Sequence, residues 1–421
     1  MKKKRDILIG LDGVPFLLID RFTRRGIMPN LRQFIFENSF FKMKSTIPDV
    51  SNVAWSSVIT GELPGEHGIF GFMEVNPRNY SLYFPDSRDL KAKPFWNNYE
   101  KALVINVPST YPAHPINGVL ISGFVSIDFE GAVYPKSLIP ELRAMGYRID
   151  VNNSLARESP TSFIEDLHKT LEIRLKFLEK MWDRDEWDLI VFVITGTDRL
   201  NHFFMDAMSN NLHPYKKTFE EYYNLVDKVI GRILSRTKVD DNVIIFSEHG
   251  AEELEIEFYV NKFLYEKGYL KYKNSDPKTP VDLAPETKAF CLDPGRVYIN
   301  STDRFLFGRL TPEQKENLMI ELQILFKNLV IDGKKIVKKV YQGRNLYIGK
   351  YAKLAPDLVL VPEKGVDLKG RIYNQKMTDK RIFKGKHRHD NAFIVFKRNN
   401  SNTANLVSEF SVEKIVTLLK K

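Results

Sequence analysis

Ile7-Leu8-Ile9-Gly10-Leu11-Asp12-Gly13 decides how the rest of the chain is read. A short, nearly continuous apolar run that stops on a carboxylate and a glycine has the pattern of a strand buried on both faces, followed by a tight turn. The same texture returns at 103–107, 189–194 and 243–246. Helical patterns fill the gaps. Residues 30–37 follow Pro29, residues 163–182 place Ile164, Leu167, Leu171, Leu175 and Leu178 at helical spacing, and 219–234 repeat that spacing. Strands alternating with helices predict an α/β domain with a largely parallel central sheet. Ligands of such sheets bind at the carboxyl ends of the strands.

Past His249 the pattern changes. A helix is expected over 260–267, then Gly268-Tyr-Leu-Lys-Tyr, a polar stretch over 274–285, a helix near 312–329 and strands near 337–341 and 358–361. This reading divides the chain into a core of 1–254 and 355–421 and an inserted smaller subdomain of 255–354.

The totals narrow the function. The 421 residues are 43% hydrophobic, enough for a large core, and no window approaches the roughly 18–20 uninterrupted apolar residues of a membrane span. The basic start, Met1-Lys-Lys-Lys-Arg-Asp6, imitates a signal peptide, but the apolar run after it is too short and ends on Asp12. The single cysteine, Cys291, excludes an intrachain disulfide and a thiolate metal cluster. A cytoplasmic protein without a membrane partner is expected. The net charge is +10, yet both signs are mixed along the chain and no basic block is interleaved with aromatics. That surface favours an anionic small molecule and gives no basis for nucleic-acid binding.

Chemistry-bearing residues cluster at the predicted strand ends. Asp12 can reach a cation from a rigid base. Asp198 and His202, spaced i, i+4 after the 189–194 run, share one face of a helical turn and can chelate a zinc or manganese ion. Glu248-His249-Gly250 follows the 243–246 run, and the glycine permits an irregular end from which both side chains can reach one place. His387, in Gly385-Lys-His-Arg-His389, precedes a further strand. His389 reads as a surface residue and His67 as a structural one. Ser51 is placed as the N-cap of a helix over 53–59, where the positive helix end favours a phosphate. Each residue also has a plain structural reading, as a turn Asp, a capping Ser or a packed His.

Their order and flanks go further. Pro29-Asn-Leu, Ser51-Asn-Val-Ala-Trp55 and Thr60-Gly-Glu-Leu-Pro-Gly-Glu-His-Gly-Ile69 resemble the nucleophile segment and following signature of the type I phosphodiesterase/nucleotide pyrophosphatase branch of the alkaline phosphatase superfamily. The resemblance spans about residues 6–396. It implies an alkaline-phosphatase-like three-layer sandwich and two divalent metal ions, commonly zinc, with manganese the alternative. One ion would be held by Asp198, His202 and His387, the other by Asp12, the Ser51 oxygen, Glu248 and His249. Ser51 would be the nucleophile of a covalent phospho-enzyme, with Asn52 or backbone N–H groups on the phosphate. The chain departs from the branch in having Ser where Thr is usual, Glu248 where Asp is usual, and Ala54 where eukaryotic-type members carry a phosphate-binding Asn.

The expected activity is therefore metal-dependent hydrolysis of a small-molecule phosphodiester or nucleotide pyrophosphate. Two other readings differ in chemistry. A phosphomonoesterase or phosphomutase needs an additional cation for the distal oxygens, for which Arg199 and Arg388 are the candidates. A catalytically weakened metal- or anion-binding protein would have Glu248 as its symptom. The segments 70–160 and 255–354 are expected to wall the pocket, with Phe70, Phe72, Tyr80 and Tyr83 as core or rim aromatics.

Overall fold

The computed structural model describes residues 4–380, 382–397 and 410–419. Its centre is a nine-stranded sheet built from β1 (Asp6–Leu11), β2 (Ser39–Lys44), β3 (Ala102–Val107), β4 (Gly118–Ser122), β5 (Val133–Tyr134), β6 (Leu189–Ile194), β7 (Asn242–Phe246), β8 (Ala392–Phe396) and β9 (Phe410–Ser411), in the order β9-β2-β8-β7-β1-β6-β3-β4-β5. The middle is parallel, with β7, β1, β6, β3 and β4 running the same way, while β8 and β5 enter antiparallel. The fold is the α/β arrangement with a mostly parallel sheet that the sequence pattern predicts.

Why these runs are continuous is visible in the packing. Along β1, Ile7, Ile9 and Leu11 face one hydrophobic cluster and Leu8 faces the other, the two-residue alternation of a pleated strand with apolar layers on both sides. The first layer contains helices Pro160–Trp182 and Lys216–Leu234, the second helix Ser51–Thr60. Burying each such side chain contributes about 1.5–3 kcal/mol. Ser159 caps the Pro160 helix by accepting from the Ser162 N–H at 3.3 Å.

A third hydrophobic cluster builds a smaller unit around strands Ala289–Leu292, Arg296–Ile299, Leu358–Pro362 and Val337–Gln342 with helix Pro312–Lys327. Its strands extend past residue 354. Leu358–Pro362 pairs with Arg296–Ile299 and Val337–Gln342, and the chain rejoins the nine-stranded sheet at Ala392. A short apolar run reports burial but not which sheet buries it.

The 70–75 segment is fastened to this unit through Arg296, which is fully buried. Its guanidinium lies 2.8 Å from the Glu74 carboxylate and donates to the Met73 carbonyl, while Tyr298 donates to Glu74 at 3.1 Å. It fits because position 71 is glycine, where a Cβ would fall 2.1 Å from the guanidinium carbon. Tyr80 stacks on Phe305 and Phe70 packs on Tyr347, so both are core aromatics, as expected.

Candidate active site

Three parallel strands deliver the first ligands. Asp12 follows β1, Asp198 lies in helix Gly196–Phe204 after β6, and Glu248-His249 follow β7. The loops are tied to one another. Thr197 donates to the Asp12 carbonyl at 2.6 Å, Asn201 to the Gly13 carbonyl at 2.9 Å and Ser247 to the Val14 carbonyl at 2.7 Å. Gly13 has φ +68°, and a Cβ there would sit 2.7 Å from the Asp198 carboxylate, so only glycine lets the two acidic strand ends approach. His387 arrives from strand Gly385–Arg388, antiparallel to Gly250–Glu253.

Ser51 differs from its expected place. It is the first helical residue of Ser51–Thr60, and Val50, in extended conformation, stands at the cap without a side-chain bond. The hydroxyl does not cap its own helix but lies 3.1 Å from His249 Nε2. Val53 and Ala54 N–H groups both bond the Val50 carbonyl at 3.0 Å. Among the described residues, the Ser51 and Asn52 N–H groups have no such partner. The Asn52 side chain is engaged elsewhere, donating to the Gly71 carbonyl at 2.9 Å and accepting from Ser109 at 2.7 Å. Ser56 bonds the Asn52 carbonyl and Ser57 pairs with the buried His67, so neither competes with Ser51.

All seven predicted ligands converge. His387 Nε2 is 3.2 Å and His202 Nε2 3.4 Å from Asp198 Oδ1, and the two nitrogens are 3.0 Å apart. His249 Nε2 is 3.1 Å from Glu248 Oε1 and 3.8 Å from Asp12 Oδ1, and its ring stacks on His387 with centroids at 3.8 Å. Two subsets, Asp198–His249–His387 and Asp12–Glu248–His249, each bring one donor atom per residue within 4.8 Å of the others.

The donors fit cations. Each imidazole faces a backbone carbonyl with Nδ1, His202 to Gly385 at 3.1 Å, His387 to Asp49 at 2.9 Å and His249 to Gly250 at 3.0 Å. A carbonyl only accepts, so Nδ1 carries hydrogen and Nε2 is turned into the cluster, as in histidine metal sites. Asp12 Oδ1 and Glu248 Oε1 are buried without a hydrogen-bond partner, an arrangement that is costly unless a positive charge answers it.

The electrostatics agree. Burial, then repulsion from Asp198, pushes Asp12 up to about 7. Burial, then the Asp12 charge, raises Glu248 well above the carboxylate range. Burial favours the neutral ring of His202, moved down to about 4, and of His249, moved well below the usual imidazole value. Asp198 goes the other way. Burial opposes its charge, yet His202, His387 and Arg199 together hold it well below the ordinary range.

One partner carries no role in the sequence reading, and the two candidate arginines are found already engaged. Trp55, one turn after Ser51, donates its indole N–H to Asp12 Oδ2 at 3.0 Å. Arg199 bonds Asp198 at 3.1 Å and Asp150 at 2.8 Å and lies 4.0 Å over the Phe124 ring. Arg388 is held by Asp390 and by Glu252 at 2.7 Å. A cavity of about 170 Å³ opens beside His202 and His387, between the core and the smaller unit, with half-buried Phe72 and His389 on its wall.

A model of the type I phosphodiesterase/nucleotide pyrophosphatase family matches residues 7–390. The chain belongs to that family. Membership makes it a phosphoester hydrolase, with the alkaline phosphatase superfamily fold. Phosphonoacetate hydrolase from Sinorhizobium meliloti 1021, solved with phosphonoacetate, superposes with TM-score 0.64 at 14% identity over 98% of this chain and 94% of that one. Murine ectonucleotide pyrophosphatase/phosphodiesterase 5, in an inactive form with AMP, gives 0.53 at 12% identity over 94% and 88%. No curated protein matches the chain by sequence. Among the described residues, no helix is long and apolar enough to cross a membrane.

Proposed function

We propose that the chain is a metal-dependent phosphodiesterase or nucleotide pyrophosphatase that acts through a phospho-Ser51 intermediate. Asp198, His202 and His387 would hold one divalent cation and Asp12, Ser51, Glu248 and His249 the other, with zinc the metal suited to this nitrogen- and oxygen-rich set and manganese the alternative. Bound there, such ions supply charge neutralisation for the phosphoryl oxygens and a lowered pKa for the Ser51 hydroxyl.

The residues themselves do the rest. Ser51 Oγ forms the bond to phosphorus while the ester oxygen opposite it departs with the leaving alcohol. The Ser51 and Asn52 N–H groups at the helix start receive a phosphoryl oxygen, so Asn52 contributes through its backbone. Water then attacks the phosphoserine, releasing a phosphate monoester and restoring the hydroxyl. The buried Asp12, Glu248 and His249 keep that oxygen in a site with little bulk water, where electrostatic stabilisation is strongest.

The observation that carries the diester over the monoester is the engagement of both candidate arginines. Arg199 is bound by Asp150 and Asp198, and Arg388 by Glu252 and Asp390, so neither offers an unpaired charge to a monoester's extra anionic oxygen. The test compares bis(4-nitrophenyl) phosphate with 4-nitrophenyl phosphate on the purified protein. Faster monoester turnover overturns the proposal. A cytoplasmic location also remains part of it, supported by the single cysteine.

A further inference from the structure

The cavity beside His202 and His387 has a charge pattern that selects among substrates. We infer that it receives the leaving group of the phosphodiester and favours leaving alcohols without negative charge, neutral or cationic. The inference rests on the phosphodiesterase reading above. In-line displacement sends the departing oxygen away from Ser51, and of the candidate ligands it is His202 and His387 that form part of the cavity wall.

Much of the remaining wall is apolar, with Phe72, Pro294, Leu360 and Leu368. Two lysines reach it, and both are answered within the protein. Lys369 lies 2.5 Å from Asp367 and 3.9 Å from Glu257. Lys386 lies 3.3 Å from Glu252, which also takes Arg388. Asp49 is the opposite case. Its backbone carbonyl accepts from His387, but among the described residues its carboxylate has no hydrogen bond or ion pair. Asp293, on the same wall, accepts from the Gly370 N–H. The cation proposed at Asp198, His202 and His387 is answered by Asp198 and by the phosphoryl group itself. A carboxylate or phosphate farther out on the leaving group would therefore meet Asp49, and Asp293 beside the already paired Lys369, with no further protein cation to offset the repulsion. An aryl or alkyl alcohol meets Phe72 and the aliphatic wall, and an ammonium group meets Asp49.

The test uses full-length Ser51→Ala protein, which binds without turnover, and three methyl aryl phosphates whose rings carry trimethylammonium, acetamido or carboxylate groups. Calorimetry is expected to show the first two binding about tenfold or more tightly than the third. Asp49→Asn in the same background narrows the gap. Phe72→Ala, a truncation at the half-buried rim, is the second variant and weakens the acetamido ester. Equal or tighter binding of the carboxylate ester overturns the inference, as does a gap that Asp49→Asn leaves unchanged, or no binding of any ester. The unmutated enzyme separates the two readings. Failure to hydrolyse any of the three while the binding order holds overturns the catalytic proposal alone. Turnover that favours the carboxylate ester overturns only the charge preference.

Discussion

The Nε2 atoms of His202 and His387 stand 3.0 Å apart, each on a ring whose Nδ1 hydrogen points at a backbone carbonyl. Two lone pairs so close require a cation between them. Without metal that cation is a proton on His387, which burial opposes but Asp198 favours enough to raise its pKa above the ordinary imidazole value. Metal and proton therefore compete for the same position. Chelation is expected to abolish diester hydrolysis and to lower the Tm at neutral pH, and restoring zinc or manganese to reverse both. Elemental analysis and thermal unfolding with and without chelator check this.

Ser51→Ala removes the hydroxyl that lies 3.1 Å from His249 Nε2. Hydrolysis of bis(4-nitrophenyl) phosphate is expected to fall roughly 10³-fold or more. Binding of the diester, measured by calorimetry, survives. Rapid acid quench of the unmutated enzyme should trap phosphate on Ser51.

Glu248→Asp returns the residue usual in the family, yet a loss is expected. Glu248 Oε1 already converges with Asp12 and His249, so the backbone is set for the longer side chain. Retracting the carboxylate by one methylene is expected to weaken affinity for the second metal about tenfold. Competition titration with a fluorescent chelator reads the change directly.

Arg296→Met leaves the Glu74 carboxylate buried without its cation, with the Tyr298 hydroxyl still donating to it. Breaking one side of such a pair costs about 3–5 kcal/mol. Urea denaturation should show that loss, and the double variant Arg296→Met, Glu74→Gln should recover most of it.

His67 governs one component of the acid sensitivity. Burial pushes its pKa down to about 3 from 6.5. Between those values the unfolded chain takes up a proton that the folded one does not, so stability rises with pH across the window and is lost as pH falls from 6.5 towards 3. The slope from this one group approaches about 1.4 kcal/mol per pH unit. Denaturation of His67→Gln between pH 4 and 6.5 should show a shallower dependence than the unmutated protein.

The parts legible in the sequence are those in which local pattern and burial coincide. β1, β3, β6 and β7 are largely apolar because both faces of the sheet are covered, and the polar residues that follow β1, β6 and β7 are the ones the fold brings together. The run at 358–362 is legible as a strand, but its partners lie tens of residues away, a relationship that the run itself does not encode. Ser is a good cap, so the local sequence points to a place one step outside the helix, and the attraction of the Ser51 hydroxyl to His249 has no local signature. Trp55 is present in the quoted motif, but its bond to Asp12 spans two elements and appears only in three dimensions. Arg199 and Arg388 were visible as charges. That both are already paired, and so withheld from substrate, was not.

The carbonyls of Asp49, Gly250 and Gly385 that orient the three imidazoles belong to the main chain. No substitution can delete them. At Gly250 and Gly385 an added Cβ would also collide with neighbouring backbone carbonyls of Asn391 and Asn201 at 2.5 and 2.3 Å, so those two positions are closed to change. Position 49 is not under that constraint. Its carbonyl can go on aiming His387 whatever side chain it carries, which leaves the cavity's charge free to diverge between relatives while the ring's orientation is inherited unchanged.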